Sequence, residues 1–487
     1  MTEKKSHDTV KRVLNVLKLM LKNKMAVLGL IILFGSVFVA VAAPLLTSYD
    51  PQTDVVAGNL AAPIWVTYFQ EGKYLSQNLV VVHDPLFASP SALQEWTVNA
   101  SQATLSNTII SYSPSVSQTP SKGTVQIAYS GSGPATIVLS QRFFYPYYGP
   151  PRKFVSTISY LVSGGNQTSL LGTRVFIDRI GDETFNLYDQ NQTISNRWVS
   201  PNLDSNGAAV ASAIGVPNGA VLGPASIIFS SRQDYTFGVE ITFSGPQTVN
   251  IGNFQMRLLG TAFGLLGTND IGHDIFSQVV YGSRISLMVG FLAAGIGISL
   301  GLAIGLMAGY LGKIMDEVLM RFTDMMLTIP SLPLLLVLVA ILGATEINVI
   351  IVLGFLGWMG FARVIRSQVL TLKERPFIEA SKAAGAGPFS IMTRHVFPNI
   401  VGLTYVNLAL TVPAAILSES ALAFLGLGDP TVVSWGNMFH SAEVSNDLFV
   451  WWWILPPGLA IGIVSLSFIF MGYALDEIFN PRLRQRR

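Results

Sequence analysis

Residues 25–47 read MAVLGLIILFGSVFVAVAAPLLT, a run of 23 residues without a charged side chain. A helix of this length, at about 1.5 Å per residue, is about 35 Å long and crosses the hydrocarbon layer of a bilayer. A cleaved signal peptide is the alternative, because Ala40, Val41 and Ala42 form a small-x-small pattern. The run exceeds a signal-peptide apolar core, and a long basic segment, residues 1–24, precedes it, so we predict a membrane-spanning helix.

The composition of the whole chain agrees with a membrane protein. Half of the 487 residues are hydrophobic and 12% are charged, whereas soluble globular proteins average about 25% charged residues. This balance argues against a cytosolic enzyme, a disordered protein and a nucleic-acid binder. The chain has no Cys, which excludes disulfides, thiol nucleophiles and thiolate metal sites.

Five further apolar segments are long enough to be membrane spans. They cover residues 285–311, 325–345, 349–367, 400–428 and 450–475. The last begins with three Trp residues, which are typical of a membrane interface. The sequence therefore predicts six transmembrane helices, with helices 2–6 forming a core over residues 263–475.

The distribution of Lys and Arg orients these spans. The N-terminal 24 residues, the loop at 363–395 and the tail at 476–487 are basic, whereas the loop at 429–449 has no Lys or Arg. Short cytoplasmic loops carry the excess of positive charge. We therefore expect a multi-pass plasma-membrane protein with both termini in the cytoplasm and residues 48–262 outside.

The segment between the first two predicted spans, residues 48–262, has the pattern of an all-β domain. It is rich in Ser, Thr, Gly, Val and Ile, and residues 239–243 alternate apolar and polar. The predicted strands are 125–129, 135–139, 154–162, 174–180, 225–230 and 235–243. The Ser-Gly-Ser-Gly at 130–133 predicts a hairpin between the first two. A β-sandwich of this size can form a core without disulfides.

Three Asn-x-Ser/Thr triplets occur in this segment and nowhere else in the chain, at Asn99, Asn166 and Asn191. Glycosylation of a domain outside the cell would explain the clustering. Chance is the alternative in a stretch so rich in Asn and Thr.

The loop before the fifth span carries the most informative motif. Residues 379–399 read EASKAAGAGPFSIMTRHVFPN. We predict a short helix at 379–384 that ends at Gly385 with a positive φ. A second short helix at 390–396 would be closed by Pro398. The result is a compact helix–Gly–helix knob.

This loop resembles the EAA loop of ATP-binding-cassette importer permeases. Four residues stand at the family spacing: Glu379, Ala380, Gly385 and Pro398. Three depart from it: Ser381, His395 and Phe397 replace Ala, Ile and Leu. His395 and Asn399 at these positions are typical of the dipeptide/oligopeptide/nickel family. The flanking segments resemble the second-permease branch of that family.

Other segments strengthen the resemblance. Residues 267–274 resemble a box that the family has before the second helix, with two departures, Asn269 and His273, which remove one acid and one permanent cation from it. The segments 419–428, 434–436 and 480–484 also fit. The resemblance covers about residues 10–48 and 262–487, and the outside insert is unusually large for the family.

The resemblance implies a type I importer permease fold and a set of partners. The loop at 369–398 would dock on an ATPase subunit. The partners would be a second permease, two ATPase subunits that carry ATP and Mg, an extracellular solute-binding protein and the bilayer, with no nucleic acid. The chain itself would have no catalytic residue, cofactor or metal, and it would not be an enzyme.

Oligopeptides are the cargo that the resemblance favours, with oligosaccharides or nickel as alternatives. A membrane-anchored receptor or adhesion protein that works through its β domain is a hypothesis of another class. A polytopic membrane enzyme would need paired acids, a His cluster or a nucleophile at one depth, and the sequence offers none.

Two further sets of residues stand out inside the predicted spans. Glycines spaced four apart would allow a close helix contact with a partner permease or a helix of the same chain: Gly297, Gly301, Gly305 and Gly309. Glu419 is an acid deep in a span, with either a structural hydrogen-bonded role or a role in gating or the substrate path. Asn407 is a candidate for bridging helices. No Walker A motif is present.

Overall fold

The computed structural model describes residues 18–118, 122–164, 170–193, 196–217 and 222–479. The chain forms two compact units. The membrane unit comprises Met1–Asp54 and Ile275–Arg487, and the β unit comprises Val55–Asp274. Residues 1–17, Asn166 and the end of the basic tail, 480–487, lie outside the described residues.

The membrane unit is helical. Its longer helices and those of the loops are α1 (Lys24–Val41), α2 (Ile275–Leu311), α3 (Lys313–Thr328), α4 (Ser331–Leu342), α5 (Glu346–Leu356), α6 (Met359–Lys373), α7 (Pro376–Ala383), α8 (Pro388–Ile391), α9 (Phe397–Leu422), α10 (Trp435–Val444) and α11 (Trp451–Phe479). A one-turn helix, Ala43–Leu46, follows α1. Two π-helical turns, Met392–Val396 and Ala423–Leu427, flank α9.

In the described part of the chain, five helical segments are long and apolar enough to cross a membrane. They are Lys24–Val41, Ile275–Leu311, Glu346–Lys373, Pro388–Leu427 and Trp451–Phe479. The pair α3 and α4, bent by 89°, makes a sixth if it counts as one span. The prediction of a polytopic helical membrane protein is confirmed.

The second span starts earlier than predicted, because the helix continues through a charged residue, Arg284. We expected it to start at residue 285, after Arg284, but α2 begins at Ile275. Arg284 donates through Nε to the carbonyl of Ala40 and through Nη2 to that of Val41, at 3.1 Å for the latter. A cation that satisfies the last carbonyls of a neighbouring helix is favourable at that position.

The third and fourth predicted spans are each interrupted. Residues 325–345 were expected to form one helix, but the chain bends sharply between α3 and α4. Ile329 is extended there (φ −78°, ψ 126°) because it precedes Pro330. Residues 349–367 divide between α5 and α6, which are separated by Gly357 and Trp358.

The β unit consists mainly of antiparallel strands. They are β1 (Leu79–Val80), β2 (Thr97–Asn99), β3 (Thr108–Ser113), β4 (Thr124–Tyr129), β5 (Ala135–Phe144), β6 (Lys153–Ser163), β7 (Leu170–Arg179), β8 (Thr184–Thr193), β9 (Trp198–Val199), β10 (Asn202–Asp204), β11 (Asp234–Phe243) and β12 (Gln247–Leu259). One sheet has the order β10-β6-β12-β4-β3, with β1 beside β12 and β9 beside β6; the other is β2-β5-β11-β7-β8.

The two sheets share one hydrophobic core. Phe237 on β11 and Phe254 on β12 have ring centroids 4.7 Å apart, and Trp96 stacks on Phe254 at 4.8 Å. At the other end, the Tyr129 and Phe243 rings are 5.4 Å apart. Aromatic contacts between the inner faces of two sheets are the packing of a β-sandwich.

The predicted hairpin at 125–139 is wrong. β4 pairs with β3 and β12, whereas β5 pairs with β2 and β11, so the two strands belong to different sheets. The Ser-Gly-Ser-Gly at 130–133 therefore connects the sheets. The hydroxyl of Tyr129 donates to the carbonyl of Gly133 at 2.9 Å and closes this connection.

The predicted strand at 225–230 is also wrong, because Pro224–Ile228 is a short helix. Pro224 occupies its first turn, where a missing N–H costs no helical hydrogen bond. Arg179 donates to the carbonyls of Ile227 and Ile228 at the end of that helix. Two other short helices interrupt the β unit, Gln102–Leu105 and Ala208–Ile214.

The β unit ends later than the predicted boundary at residue 262. Residues 263–274 turn back onto its first segment through backbone hydrogen bonds. The amide of Val56 donates to the carbonyl of Gly272 at 2.9 Å, and that of Leu60 to Asn269 at 2.7 Å. These hydrogen bonds join the start and the end of the unit.

Candidate functional site

The loop between α6 and α9 forms a compact knob, which we define as residues 376–396. Gly385 ends its first helix with φ +81°. The amide of Gly385 donates to the carbonyl of Lys382 at 2.9 Å, and that of Ala386 to Ser381 at 3.1 Å. This is the hydrogen-bond pattern of a Schellman motif, which places glycine at the left-handed position.

Three buried apolar side chains hold the knob against the membrane unit. Ile378, Ile391 and Val396 belong to one core cluster with Ile365 of α6 and Tyr310 of α2. Each helical piece of the knob thus contributes at least one anchor. The geometry of Gly385 consequently decides how the two anchored pieces are oriented relative to each other.

The outward surface of the knob carries the motif residues and two aromatic rings. Glu379 and Ala380 are exposed, as are Phe377 and Phe389. The hydroxyl of Ser381 donates to the carbonyl of Phe377 at 2.8 Å. The knob therefore offers apolar rings beside a carboxylate to any protein that docks there.

The second predicted helix of the knob does not close at Pro398. α8 continues through the π-helical turn Met392–Val396 into α9, whose first turn contains Pro398. The π-helical turn shortly before Pro398 interrupts the regular hydrogen-bond pattern of the helix, so the proline is placed where that pattern is already broken. The carbonyl of His395 accepts from Nδ2 of Asn399 at 2.6 Å.

Two ion pairs connect α3 to α6, next to the knob. Arg366 donates to both carboxylate oxygens of Asp316, with Nε–Oδ1 2.5 Å and Nη2–Oδ2 2.6 Å. Arg363 forms a second pair with Asp324. Bidentate arginine–carboxylate pairs hold a defined geometry, so α3 and α6 are coupled near the loop.

The four spaced glycines of α2 lie against α5 and α6 of the same chain. A Cβ on Gly297 would lie 3.2 Å from the carbonyl oxygen of Gly354, and one on Gly301 2.7 Å from that of Trp358. On Gly309 it would lie 2.7 Å from Cβ of Val369. The stripe is an intrachain packing surface.

Gly305 gives a sharp test of this packing. A Cβ there would lie 2.6 Å from the carbonyl oxygen of Ala362, so Gly305→Ala should destabilise the membrane unit by about 1–3 kcal/mol. Gly295→Ala is the matched control on the same helix, because its Cβ would meet nothing within 4 Å. Thermal unfolding in one detergent should separate the two variants; equal midpoints would contradict the packing argument.

Glu419 is the centre of a buried polar cluster near the end of α9. Its side chain is 3% exposed. Oε1 accepts from the hydroxyl of Ser434 at 2.8 Å, and Oε2 accepts from that of Ser420 at 3.2 Å. Ser434 is also the N-cap of α10 and accepts from the amide of Asn437 at 3.1 Å. Glu419 thus lies at the positive end of a helix dipole, where a carboxylate is stabilised.

Helix α10 is connected to α2 as well. The indole Nε1 of Trp435 donates to the carbonyl of Val279 at 3.0 Å, and its backbone amide to the hydroxyl of Ser286 at 3.3 Å. Trp435 is 2% exposed. The sequence shows the motif around Ser434 but does not indicate a role for its residues. The local signal for this role is a serine directly before the helix, because serine is a common N-cap residue.

Asp429 joins the start of α5 to the same region. Its Oδ2 accepts from the amide of Glu346 at 3.3 Å, and its Oδ1 from Thr431. Burial raises the pKa of Asp429, but these hydrogen bonds outweigh it and hold the pKa below its ordinary value. The carboxylate is therefore charged at neutral pH.

The remaining residues that the sequence singled out are exposed or form hydrogen bonds within their own segment. The side chain of Asn407 donates to the carbonyl of Leu403 in its own helix at 2.9 Å, so this bond does not bridge helices. Asn99 and Asn191 are exposed on β2 and β8. Asn269, a departure from the family box, accepts from the amides of Ile271 and His273 and closes a turn.

The fold and the knob define a class: a polytopic helical membrane protein that presents an anchored helix–Gly–helix loop. Residues 301–485 match the family described as binding-protein-dependent transport system inner membrane component. Residues 15–63 match the N-terminal TM domain of oligopeptide transport permease C. The two matches leave out most of the β unit.

Several curated relatives align with the chain. It is 37% identical over 220 residues to the dipeptide transport system permease protein DppC of Bacillus subtilis, covering 45% of this chain and 69% of that protein. The oligopeptide transport system permease protein OppC of the same organism is 35% identical, with 45% and 72% covered. DppC of Escherichia coli is 40% identical over 227 residues, with 46% and 75% covered.

The chain belongs to the family of binding-protein-dependent transport system inner membrane components, and it is similar to the relatives named as dipeptide and oligopeptide permeases. This confirms the resemblance seen in the sequence. The relatives named above are permease proteins of transport systems, which agrees with a role of the chain in membrane transport.

Proposed function

We propose that this subunit translocates oligopeptides across the plasma membrane by alternating access. The observation that carries the proposal is the knob, whose glycine-terminated helix is anchored in the membrane unit while its aromatic rings and Glu379 face outward. A rigid loop of this kind can transmit movement of a docked protein into the helices that anchor it.

The knob would dock into a groove on an ATPase subunit. In this proposal two ATPase subunits hold ATP and Mg, and a second permease completes the translocation path. Closure of the ATPases would displace the knob and shift the helices between inward-facing and outward-facing states, each favoured by different contacts. No cofactor or metal is assigned to this chain.

The orientation follows from the charges. The basic loop at 363–395, which contains the knob, would lie in the cytoplasm with both termini. The β unit would lie outside, where a solute-binding protein delivers cargo. Peptide cargo is proposed because the aligned relatives are named as dipeptide and oligopeptide permeases; an oligosaccharide is the alternative.

The proposal is tested by isolating the complex from native membranes and by measuring uptake. We expect the tagged chain to retain a second permease and ATPase subunits, and a strain without the chain to lose ATP-driven uptake of labelled oligopeptides. Uptake of labelled oligosaccharides is measured in parallel as the control for cargo. Loss of oligosaccharide uptake alone would overturn the peptide assignment, and a complex without any ATPase would contradict the proposed coupling.

A further inference from the structure

The β unit exposes a cluster of aromatic rings on one short segment, residues 64–75, which we call the aromatic strap. The strap contains two 3₁₀ turns, Ile64–Tyr68 and Gln70–Gly72. The side chains of Tyr68, Phe69 and Tyr74 are 86%, 61% and 67% exposed. Large exposed rings grouped on one segment are a candidate interaction surface.

The strap is held in place by its own backbone and by close contacts. The amide of Phe69 donates to the carbonyl of Val66 at 3.1 Å, and that of Leu75 to Gly72 at 3.0 Å. Gly149 packs so tightly on the strap that a Cβ there would lie 1.8 Å from the carbonyl oxygen of Tyr74. The rings are therefore presented by an ordered surface.

Two cations accompany the rings. Nζ of Lys73 lies 5.6 Å from the centroid of the Tyr148 ring, and the guanidinium of Arg232 lies 5.5 Å from the same centroid. In the part of the chain that the structure describes, neither cation forms a salt bridge with a carboxylate. Both are thus available to an anionic group next to the rings.

Exposed Tyr and Trp rings are typical of a protein surface at the headgroup level of a bilayer, and neighbouring Lys and Arg side chains can reach lipid phosphates from there. The strap is also hydrogen-bonded to a segment that lies shortly before a membrane span in the chain. Nε1 of Trp65 donates to the carbonyl of Leu265 at 2.9 Å, and residues 266–274 alone separate Leu265 from α2, a membrane span. The side chains of Leu265 and of Ile271, which lies between Leu265 and α2, are exposed as well.

We propose that the aromatic strap is a membrane-interface surface. Tyr68 and Phe69 lie at the boundary of the headgroups and acyl chains, and Lys73 and Arg232 contact lipid phosphates. This inference goes beyond the proposed transport function, since it depends neither on the cargo nor on the ATPases. It gives the inserted β unit a lipid partner.

The absence of Cys from the chain allows a direct test with single-cysteine variants. Full-length Tyr68→Cys, labelled with a nitroxide, is placed in nanodiscs of phosphatidylcholine with phosphatidylglycerol. Ile109→Cys is the matched control, because Ile109 on β3 is 70% exposed. Electron paramagnetic resonance measures the collision rates of each label with oxygen and with a polar nickel chelate.

We expect the label at residue 68 to collide several-fold more with oxygen and less with nickel than the label at residue 109. Equal, nickel-dominated accessibility at both positions would overturn the proposal and leave the strap open to a soluble partner. Shielding of residue 68 from both reagents would also overturn it, because protein would then cover the strap. Phe69→Cys repeats the measurement at a second position, so a local defect in one variant does not decide the outcome.

Discussion

Placing valine at Gly385 should lower ATP-driven uptake about tenfold or more and release the ATPase subunits during purification. Gly385 has φ +81°, a conformation that costs an ordinary L-residue roughly 1–2 kcal/mol and is a genuine outlier for a β-branched one. A difference of 1.4 kcal/mol is about a factor of ten in an equilibrium. The strain can be relieved only if the Schellman turn opens.

The turn matters because both of its sides are anchored. Ile378 lies before it and Ile391 after it, and both are buried in the same cluster. If the turn opens, each helical piece keeps its apolar anchor in the cluster, but the connection no longer fixes the angle between the two pieces. The exposed rings of Phe377 and Phe389 would then no longer share one orientation toward a docked protein.

Gly387→Val is the matched control for this prediction. Gly387 has φ −72° and ψ 159°, which valine adopts readily, and a Cβ at either glycine meets nothing within 4 Å. The two variants therefore add the same side chain to the same exposed turn. Uptake and retained ATPase should be near the wild-type level for Gly387→Val; a matching loss in both variants would show that bulk, and not the left-handed backbone, is responsible.

The features that the sequence predicted well are those with a local signature. Membrane spans appear as long uncharged runs because the hydrocarbon layer excludes charge, and the glycines of α2 show their contact face by their spacing. Gly385 was predictable for the same reason, since a helix that ends in glycine indicates a positive φ. Each of these signals depends only on residues within a few positions of one another.

The features that the sequence missed depend on distant partners. Arg284 appeared to end a span, but its acceptors are carbonyls of Ala40 and Val41, more than two hundred residues earlier. Residues 130–133 are as suitable for a connection between sheets as for a hairpin, and only the pairing of β5 with β11 decides between them. Local propensity does not encode such choices.

Glu419→Leu should strongly destabilise the membrane unit. It removes the acceptor of both Ser434 and Ser420, two buried hydroxyls. Leaving a buried polar group unsatisfied costs about 1–3 kcal/mol for each group. We expect a marked fall in the thermal unfolding midpoint and faster hydrogen exchange across Trp435–Val444, because Ser434 is the N-cap of that helix.

Glu419→Gln is the control, since its amide oxygen can still accept from Ser434 and its amide nitrogen can donate to Ser420. This variant should unfold and exchange like the wild type. Unchanged exchange across α10 in Glu419→Leu would contradict the assigned role of the carboxylate.

The exchange measurement also separates the two roles proposed for Glu419. α10 is bound to α9 through Glu419 and to α2 through Trp435, so a purely structural role predicts that protection of α10 and peptide uptake fall together. If the carboxyl group acts in gating, Glu419→Gln will keep α10 protected while uptake falls, because the amide preserves the hydrogen bonds and removes the ionisable group. The comparison of leucine with glutamine thus distinguishes loss of the connection from loss of the ionisable group.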